Sequence, residues 1–568
     1  MKYILKTRLA YFGILFFIFG SFNGHSVDIF NKNMETHKPL IDGEQLIKII
    51  DLCQANHNDS ECKTMIKRLQ KLQGIDHTVY TIIQPCFDDP FSQGCTESKK
   101  ILKKINDQNK QKKKIEIERK NKEKEAKDLE KAAETKNITE RTQNLDRQYT
   151  IKDIKNCRAS IDTPQCTKAH KFATSLRKYL DEIQYDSLIQ QIMGDLYKYG
   201  DLIDEGSLKY FDQRRGPLDD DQEIIVNLFF FNKKVRITKI FNLDNPSHTE
   251  LLRLLLELDL ATITENKIAL NKYWINSYSL ANNKVMYLLN DYPQERLIKS
   301  DTNPEGKSSA LLSETSHRLL RRIEQDYKTK RINSDGIVAD FGSGTGIQAI
   351  ALLLLYPDIQ KAIGLEIDDH SMDVSVLNAQ LNNVYTKFVV LNNYDTNTLT
   401  KELNGEKLTF AISNPPFNVV PESLSKYFSV FGDGGERGEF VTGIFLEQVN
   451  QHLADTGAFL FYSDLPINSK KEFLIQNLIK EKLPNGFECA ILVDATAGYS
   501  TDQYIIGFTD FIIKNNPKKS FAPEVATLFL SLNLKKHDVI DFKSAVVYVK
   551  KSKNKSEFTF DEWDFNAL

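Results

Sequence analysis

From Gly336 to Tyr462 the chain alternates short apolar runs with longer mixed stretches. Gly336-Ile337-Val338-Ala339-Asp340, Ala362-Ile363-Gly364-Leu365-Glu366, Phe388-Val389-Val390-Leu391, Leu408-Thr409-Phe410-Ala411-Ile412 and Phe459-Leu460-Phe461-Tyr462 have the length and aliphatic content of strands. Gln348 to Leu355 and Ser371 to Leu381, lying between them, read as helices. This alternation predicts an α/β domain over 331–568. Its sheet would be Rossmann-like, doubly wound and mostly parallel, with ligands at the C-terminal ends of the strands. Ala545-Val546-Val547-Tyr548-Val549 supplies a final strand.

The pattern before residue 331 is different. Leu251 to Leu258 is a strongly apolar helix segment. Thr262-Ile263-Thr264, Ile268-Ala269-Leu270 and Tyr273-Trp274-Ile275 follow it as a hairpin pattern. Helices followed by a small hairpin make 181–330 a helical, winged-helix-like accessory segment. Such a module either binds nucleic acid or packs on the neighbouring domain and shapes substrate entry. The candidate recognition helix has no dense Lys/Arg cluster, which favours the second role. Residues 98–150 are rich in Lys, Glu, Asn and Gln, and their apolar positions (Ile101, Leu102, Ile105, Ile115, Ile117, Leu129) are too sparse for a heptad. A solvated helix or a disordered linker is expected there, rather than a coiled coil.

Residues 1–26 read as a secretory signal peptide. Lys2, Lys6 and Arg8 precede an apolar run from Leu9 to Phe22, and Gly24-His25-Ser26 offers small residues for cleavage. The run is too short for a comfortable membrane span, so no stable membrane association is expected after cleavage. The predicted location is exported, either periplasmic or secreted.

The cysteines point the same way. Six of the seven form three equally spaced pairs: Cys53/Cys62, Cys86/Cys95 and Cys157/Cys166. Turn-rich residues separate each pair and a basic, helix-prone segment follows. Each unit, two within 27–97 and one within 151–180, reads as a helical hairpin closed by a local disulfide. These segments lack the CxxC spacing that structural zinc prefers. Cys489 lies in the apolar strand pattern Glu488 to Val493 and reads as a buried, inert thiol. With 75 Lys+Arg against 77 Asp+Glu, the net charge of −2 lends nucleic-acid binding no support.

The chemistry concentrates at three strand ends. The first strand ends in Asp340-Phe341-Gly342-Ser343-Gly344-Thr345-Gly346, a GxGxG loop. A dinucleotide fingerprint would need glycine at 347, which is Ile. The compact loop suits a ligand without a pyrophosphate, packed directly against the backbone. Glu366 ends the second strand, where a carboxylate can accept both hydroxyls of a ribose; Asp368 is a weaker candidate. The fourth strand runs into Ser413-Asn414-Pro415-Pro416-Phe417. Two prolines fix the backbone and leave carbonyls exposed. The Asn414 side-chain oxygen and the Pro415 carbonyl can accept from one planar NH2 group, on which Phe417 can stack.

In this order and spacing, DFGSGTG, GLEID and NPPF resemble the class I S-adenosylmethionine (SAM)-dependent methyltransferases of the amino-methylating branch. That branch includes the adenine-amine, guanine-amine and protein-glutamine enzymes. The resemblance is closest to the glutamine methyltransferase-like group with a winged-helix-like N-terminal domain. It covers about residues 220–550 and is specific in the three motifs; Ala310 to Leu320 and the loop Asp433 to Gly438 match more loosely.

The resemblance implies SAM as cofactor, with Asp340, Gly342, Gly344 and Gly346 along its methionine part and Glu366 on its ribose. Asn393 or Asp395 would meet its adenine. Asn414, Pro415, Pro416 and Phe417 would hold the target nitrogen, with no metal required. The methyl acceptor would be a protein glutamine or a nucleobase amine, on a protein or nucleic-acid partner not identified by the sequence. The N-terminal 200 residues have no counterpart in that group. Since SAM is made in the cytosol, an exported enzyme would act in another cell; the alternative is an exported, disulfide-stapled binding protein with an inactive methyltransferase fold.

Overall fold

The computed structural model describes residues 84–86, 92–142, 157, 164–196, 218–271, 273–291, 312–332, 335–392, 396–428, 431–515, 523–553 and 555–563. The predicted signal peptide and the Cys53/Cys62 unit lie outside them. The chain divides into two compact units, Met1–Ala133 and Glu134–Leu568.

In the first unit Cys86 and Cys95 are bridged, and Cys95 stands in the first turn of helix α1 (Gln93–Thr142). Among the described side chains of α1, Leu102 is buried but Ile101, Ile115, Ile117 and Leu129 are all exposed. Of the two expected states, a solvated helix or a disordered linker, the structure has the helix, with exposed pairs such as Lys120 with Glu116 at 2.8 Å.

The second unit holds another bridge, Cys157–Cys166, at the start of α2 (Pro164–Glu182). Non-reducing peptide mapping is expected to recover Cys86–Cys95 and Cys157–Cys166 as local pairs. Closing such short loops contributes roughly 2–3 kcal/mol each, so reduction should lower the thermal midpoint. Free thiols, or pairs formed across the units, would refute this.

After α2 and α3 (Tyr185–Leu196) come α4 (Asp220–Phe229), β1 (Val235–Arg236), α5 (Ile237–Ile240), α6 (Pro246–Glu257), β2 (Ala261–Thr264) and β3 (Lys267–Leu270). Asp219 and Gln222 form a capping box on α4; Asn245 caps α6, with Pro246 at its first position. The strands form a small antiparallel sheet in the order β1-β3-β2. Tyr273-Trp274-Ile275 does not extend that hairpin. It begins β4 (Tyr273–Ser279), which pairs with β5 (Val285–Asp291) in a separate sheet. Buried Glu257 ties α6 to α2, receiving Lys168 at 3.0 Å and Arg253.

Helix α7 (Glu314–Thr329) leads into the main sheet. Its strands are β6 (Gly336–Phe341), β7 (Ile359–Leu365), β8 (Phe388–Leu391), β9 (Leu408–Ser413), β10 (Leu453–Asn468), β11 (Phe487–Ser500), β12 (Val539–Lys551) and β13 (Ser556–Trp563). Their order is β13-β11-β12-β10-β9-β6-β7-β8. Every neighbour pairs in parallel except along β12, which runs antiparallel between β10 and β11. Helices α8 (Ile347–Leu355), α9 (Asp369–Leu381), α10 (Thr396–Leu403) and α12 (Phe440–His452) cover the sheet; the short α11 (Glu422–Ser425) precedes α12.

Alternation along β6 assigns the two cores. Val338 joins the cluster with α8 and α9, while Ile337, Ala339 and Phe341 join the one with α10 and α12. The sheet is therefore a doubly wound, mostly parallel α/β layer. Because β6 lies between β7 and β9, the winding reverses there and opens a crevice at the strand ends. The edge strand β13 was not anticipated from sequence. Its buried Trp563 donates from Nε1 to Gln325 Oε1 at 2.9 Å. Cys489 is a free thiol, buried in β11, and burial pushes its pKa far up.

Two buried asparagines, Asn378 on α9 and Asn382 at its C-cap, grip β5 as a neighbouring strand would. Asn382 accepts from Tyr287 N at 2.9 Å and donates to Tyr287 O at 2.6 Å. Asn378 accepts from Leu289 N at 2.8 Å, and donates to Leu289 O and Thr345 O at 3.0 Å each. Asn378→Ala strands a buried N–H and two carbonyls, each costing about 1–3 kcal/mol when unpaired. We expect a loss of about 3 kcal/mol, read as a lowered urea midpoint; an unchanged midpoint would refute the role of this clamp.

Candidate active site

A cavity of about 840 Å3 opens at the C-terminal ends of β6, β7 and β9. Its floor is the turn from β6 into α8. Gly342, Gly344 and Gly346 all take positive φ there, and Gly346 is the N-cap of α8. Gly342, Ser343, Gly344 and Thr345 line the cavity. Gly346 lies at the helix start behind them. Asp340 sits beneath the loop and not in the wall: it is buried, and its Oδ2 accepts from Ala349 N at 3.2 Å. Burial pushes its carboxyl up to about 7, with the Ala349 N–H opposing and Glu366 adding to the rise.

Glu366, at the end of β7, lines the cavity. Its Oε2 accepts from Gly344 N at 2.9 Å; its Oε1 accepts from Ile367 N at 2.8 Å and Asp368 N at 3.0 Å. Burial raises its pKa against these three bonds. The side chain therefore holds the glycine loop as well as facing the cavity. Asp368 serves as N-cap of α9, accepting from Ser371 N at 2.7 Å. Asn393 and Asp395 lie outside the described residues.

The opposite wall comes from the residues after β9. Asn414 and Pro416 line the cavity; Pro415 is buried beneath. Asn414 Nδ2 donates to Ser316 Oγ at 3.1 Å and to Ser313 Oγ at 3.3 Å. Its Oδ1 is buried with no partner. Phe417 does not line the cavity. Its ring stands 5.9 Å from that of Tyr462 and is partly buried against the core.

The loop after Phe417 folds back on itself. Asn418 N donates to Gly432 O, Gly434 N to Asn418 O and Val420 N to Gly435 O, at 2.9–3.0 Å. Only glycine fits at 434, because a Cβ there would lie 2.8 Å from both Gly438 Cα and Phe417 C. This fold brings Val420, Glu422, Phe431, Asp433 and Gly435 to the cavity's outer rim, where Phe440 stands 70 % exposed.

Three further buried polar atoms in the described wall have no partner: Ser343 Oγ, Thr345 Oγ1 and Gln348 Nε2. Together with Glu366 and the glycine loop they give a largely apolar cavity a few polar groups that can meet hydroxyl, carboxylate and amino groups of a ligand. Sequence reasoning missed Gln348, Ser313 and Ser316. Ser313 and Ser316 stand at the start of α7, and nothing local says that they face Asn414.

Residues 314–456 match the family described as ribosomal protein L11 methyltransferase. No curated protein matches the chain. Among solved structures, the chain is similar to an O-methyltransferase from a Brevibacillus brevis trans-AT polyketide synthase, in complex with S-adenosyl-L-homocysteine. The identity is 15%, the match covers 42% of this chain and 76% of that one, and the TM-score is 0.24. It is similar to the ribosomal protein L11 methylase of Lactobacillus delbrueckii subsp. bulgaricus at 14% identity, 42% and 79% coverage and a TM-score of 0.22. Likenesses this slight carry no weight about function. The matched segment holds β6 to β9 and most of the cavity wall. This part of the chain is an S-adenosylmethionine-dependent methyltransferase domain, with SAM as its cofactor.

Proposed function

We propose that the domain transfers the methyl group of SAM to a planar amino or amide nitrogen, either a protein glutamine side chain or a nucleobase amine. The observation that carries this reading is the state of Asn414. Both hydrogens of its amide face serine hydroxyls, while its oxygen is buried beside the cavity without a donor. A buried acceptor left unpaired costs free energy. An incoming N–H would remove that cost.

The wall fits the cofactor. Gly342 and Gly344 would admit its methionine part, Gln348 Nε2 and the Ser343 and Thr345 hydroxyls would meet its polar groups, and Glu366 would take the ribose. SAM supplies a methyl group on a sulfonium, which is already a good leaving group. The chain's own residues then orient the nitrogen and exclude water. Such positioning supplies roughly 7–11 kcal/mol of a barrier of this kind. Asn414 Oδ1 would accept one N–H, turn the lone pair towards the methyl group, and favour the positive charge that grows on nitrogen.

Export, with action in another cell, remains part of this proposal; the two described disulfides support it, because such bridges persist in oxidising compartments. The element order α4-β1-α5-α6-β2-β3, with the strands paired β1-β3-β2, supports a winged-helix-like accessory module. An inactive scaffold is not favoured, since the cavity keeps its glycine turn, strand-end carboxylate and free acceptor. The test is to incubate the purified protein with isotope-labelled SAM and cell extracts, then locate label by mass spectrometry. Label on glutamine amides or nucleobase amines is expected. Label on hydroxyl or carbon acceptors alone would overturn the proposal.

A further inference from the structure

Ser313 and Ser316 lie about a hundred residues from Asn414 in sequence, yet they meet its amide. Ser313 is the N-cap of α7 and accepts from Ser316 N at 3.2 Å. Its Oγ lies 2.7 Å from Thr315 Oγ1 and 3.0 Å from Ser316 Oγ. Both serines line the cavity, and Ser316 is buried. His317 locks the turn: its Nδ1 lies 2.8 Å from Ser313 O and its Nε2 2.6 Å from Tyr278 Oη on β4.

We infer that Ser316, with Ser313, is a positioning residue that decides which edge of the Asn414 amide faces the methyl acceptor. An asparagine amide has two edges of nearly equal shape, one donating and one accepting. Hydroxyl hydrogens directed along Ser316→Ser313→Thr315 would leave the lone pairs of Ser316 facing Asn414. Nδ2 then turns towards the serines and Oδ1 is left for the acceptor. The reversed amide would set a donor against the donor of a target NH2. The cavity would then select hydrogen-bond acceptors and not amines. Tyr278 and His317 carry the bracing into the β4–β5 hairpin, so the segment before the catalytic sheet helps to set this choice.

This inference rests on the proposed nitrogen methylation, and its test is arranged so that the two can fail separately. Ser316→Ala is the cleaner variant, because Ser313 also caps α7. The full chain is labelled with 15N-asparagine, and the Asn414 side-chain signal is identified by its absence in Asn414→Asp. Loss of one hydrogen bond speeds exchange of the Nδ2 protons about five- to tenfold in Ser316→Ala. Ser316→Thr, which keeps a hydroxyl, restores slow exchange, and SAM affinity by calorimetry stays within twofold in all three proteins. In parallel, transfer of labelled methyl is measured to a glutamine-containing tripeptide amide and to adenosine. For whichever of these is methylated, Ser316→Ala lowers kcat about tenfold with the KM for SAM unchanged, and Ser316→Thr recovers it. Unchanged Nδ2 exchange in Ser316→Ala would overturn the positioning role even if nitrogen is methylated. Fast exchange with neither probe methylated would leave the clamp standing and count against the choice of acceptor.

Discussion

Asn414→Ala is expected to lower turnover by about two to three decades while leaving SAM affinity nearly unchanged. The side chain offers the cavity one buried acceptor, Oδ1, and its donors are already engaged by Ser313 and Ser316. Before reaction the target nitrogen is planar and its N–H bond is modestly polarised. As the new bond forms, positive charge builds on nitrogen and the N–H donates more strongly. An interaction that strengthens on the way to the transition state appears in the rate, whereas uniform binding does not. One preorganised polar group of this kind is typically worth about 2.7–4 kcal/mol. The measurement is single-turnover methyl transfer from labelled SAM, beside calorimetry for the cofactor. Asn414→Asp sharpens it. Aspartate keeps acceptors in nearly the same place, so it should retain more activity on an aromatic amine than on a glutamine amide. Wild-type turnover in Asn414→Ala would mean that the NPPF turn is structural.

The second large effect concerns Glu366. Glu366→Ala should weaken SAM binding by about one to two decades, since a charge-assisted bond to a ribose hydroxyl is worth roughly 1.5–3 kcal/mol and water regains part of it. The structure adds a second contribution. The same carboxylate holds Gly344 N, Ile367 N and Asp368 N, so alanine also loosens the loop against which the cofactor would pack. The pH dependence has a definite sign. Burial raises the Glu366 pKa, and the ionised form is the acceptor for ribose hydroxyls. SAM affinity is therefore full above the raised pKa and is lost as pH falls through it, and Glu366→Ala should remove that dependence. Calorimetry across a pH series measures both. Wild-type affinity in the variant would take Glu366 out of the cofactor site.

Several elements were legible in the residues themselves. β6, β7 and β9 are apolar runs that must be buried on both faces. A chain that alternates such runs with helices has few topologies open to it. The GxGxG turn, Glu366 and NPPF were legible because each is a local backbone device placed directly after a strand. The composition of 98–150 left a solvated helix and a disordered linker both open, and the structure gives the helix Gln93–Thr142; the two described disulfides follow the short, equal spacing.

Tertiary structure decided what depends on distant partners. The wedging of β12 between β10 and β11 is a choice of neighbour, which strand propensity does not encode. β13 escaped notice because Ser556 to Trp563 alternates polar and apolar residues at a sheet edge, without a buried run. Phe417 offers the same ring to a ligand or to Tyr462, and only packing selects Tyr462. Ser313 and Ser316 carry no local sign of a site, and only the fold brings them to Asn414. By itself, then, the sequence determined a methyltransferase-like sheet and the motifs at its strand ends, because hydrophobic periodicity and turn chemistry act over a few residues. Which edge of Asn414 faces the cavity, and which side chains hold it there, belongs to contacts made across about a hundred residues, and those exist only once the core has closed.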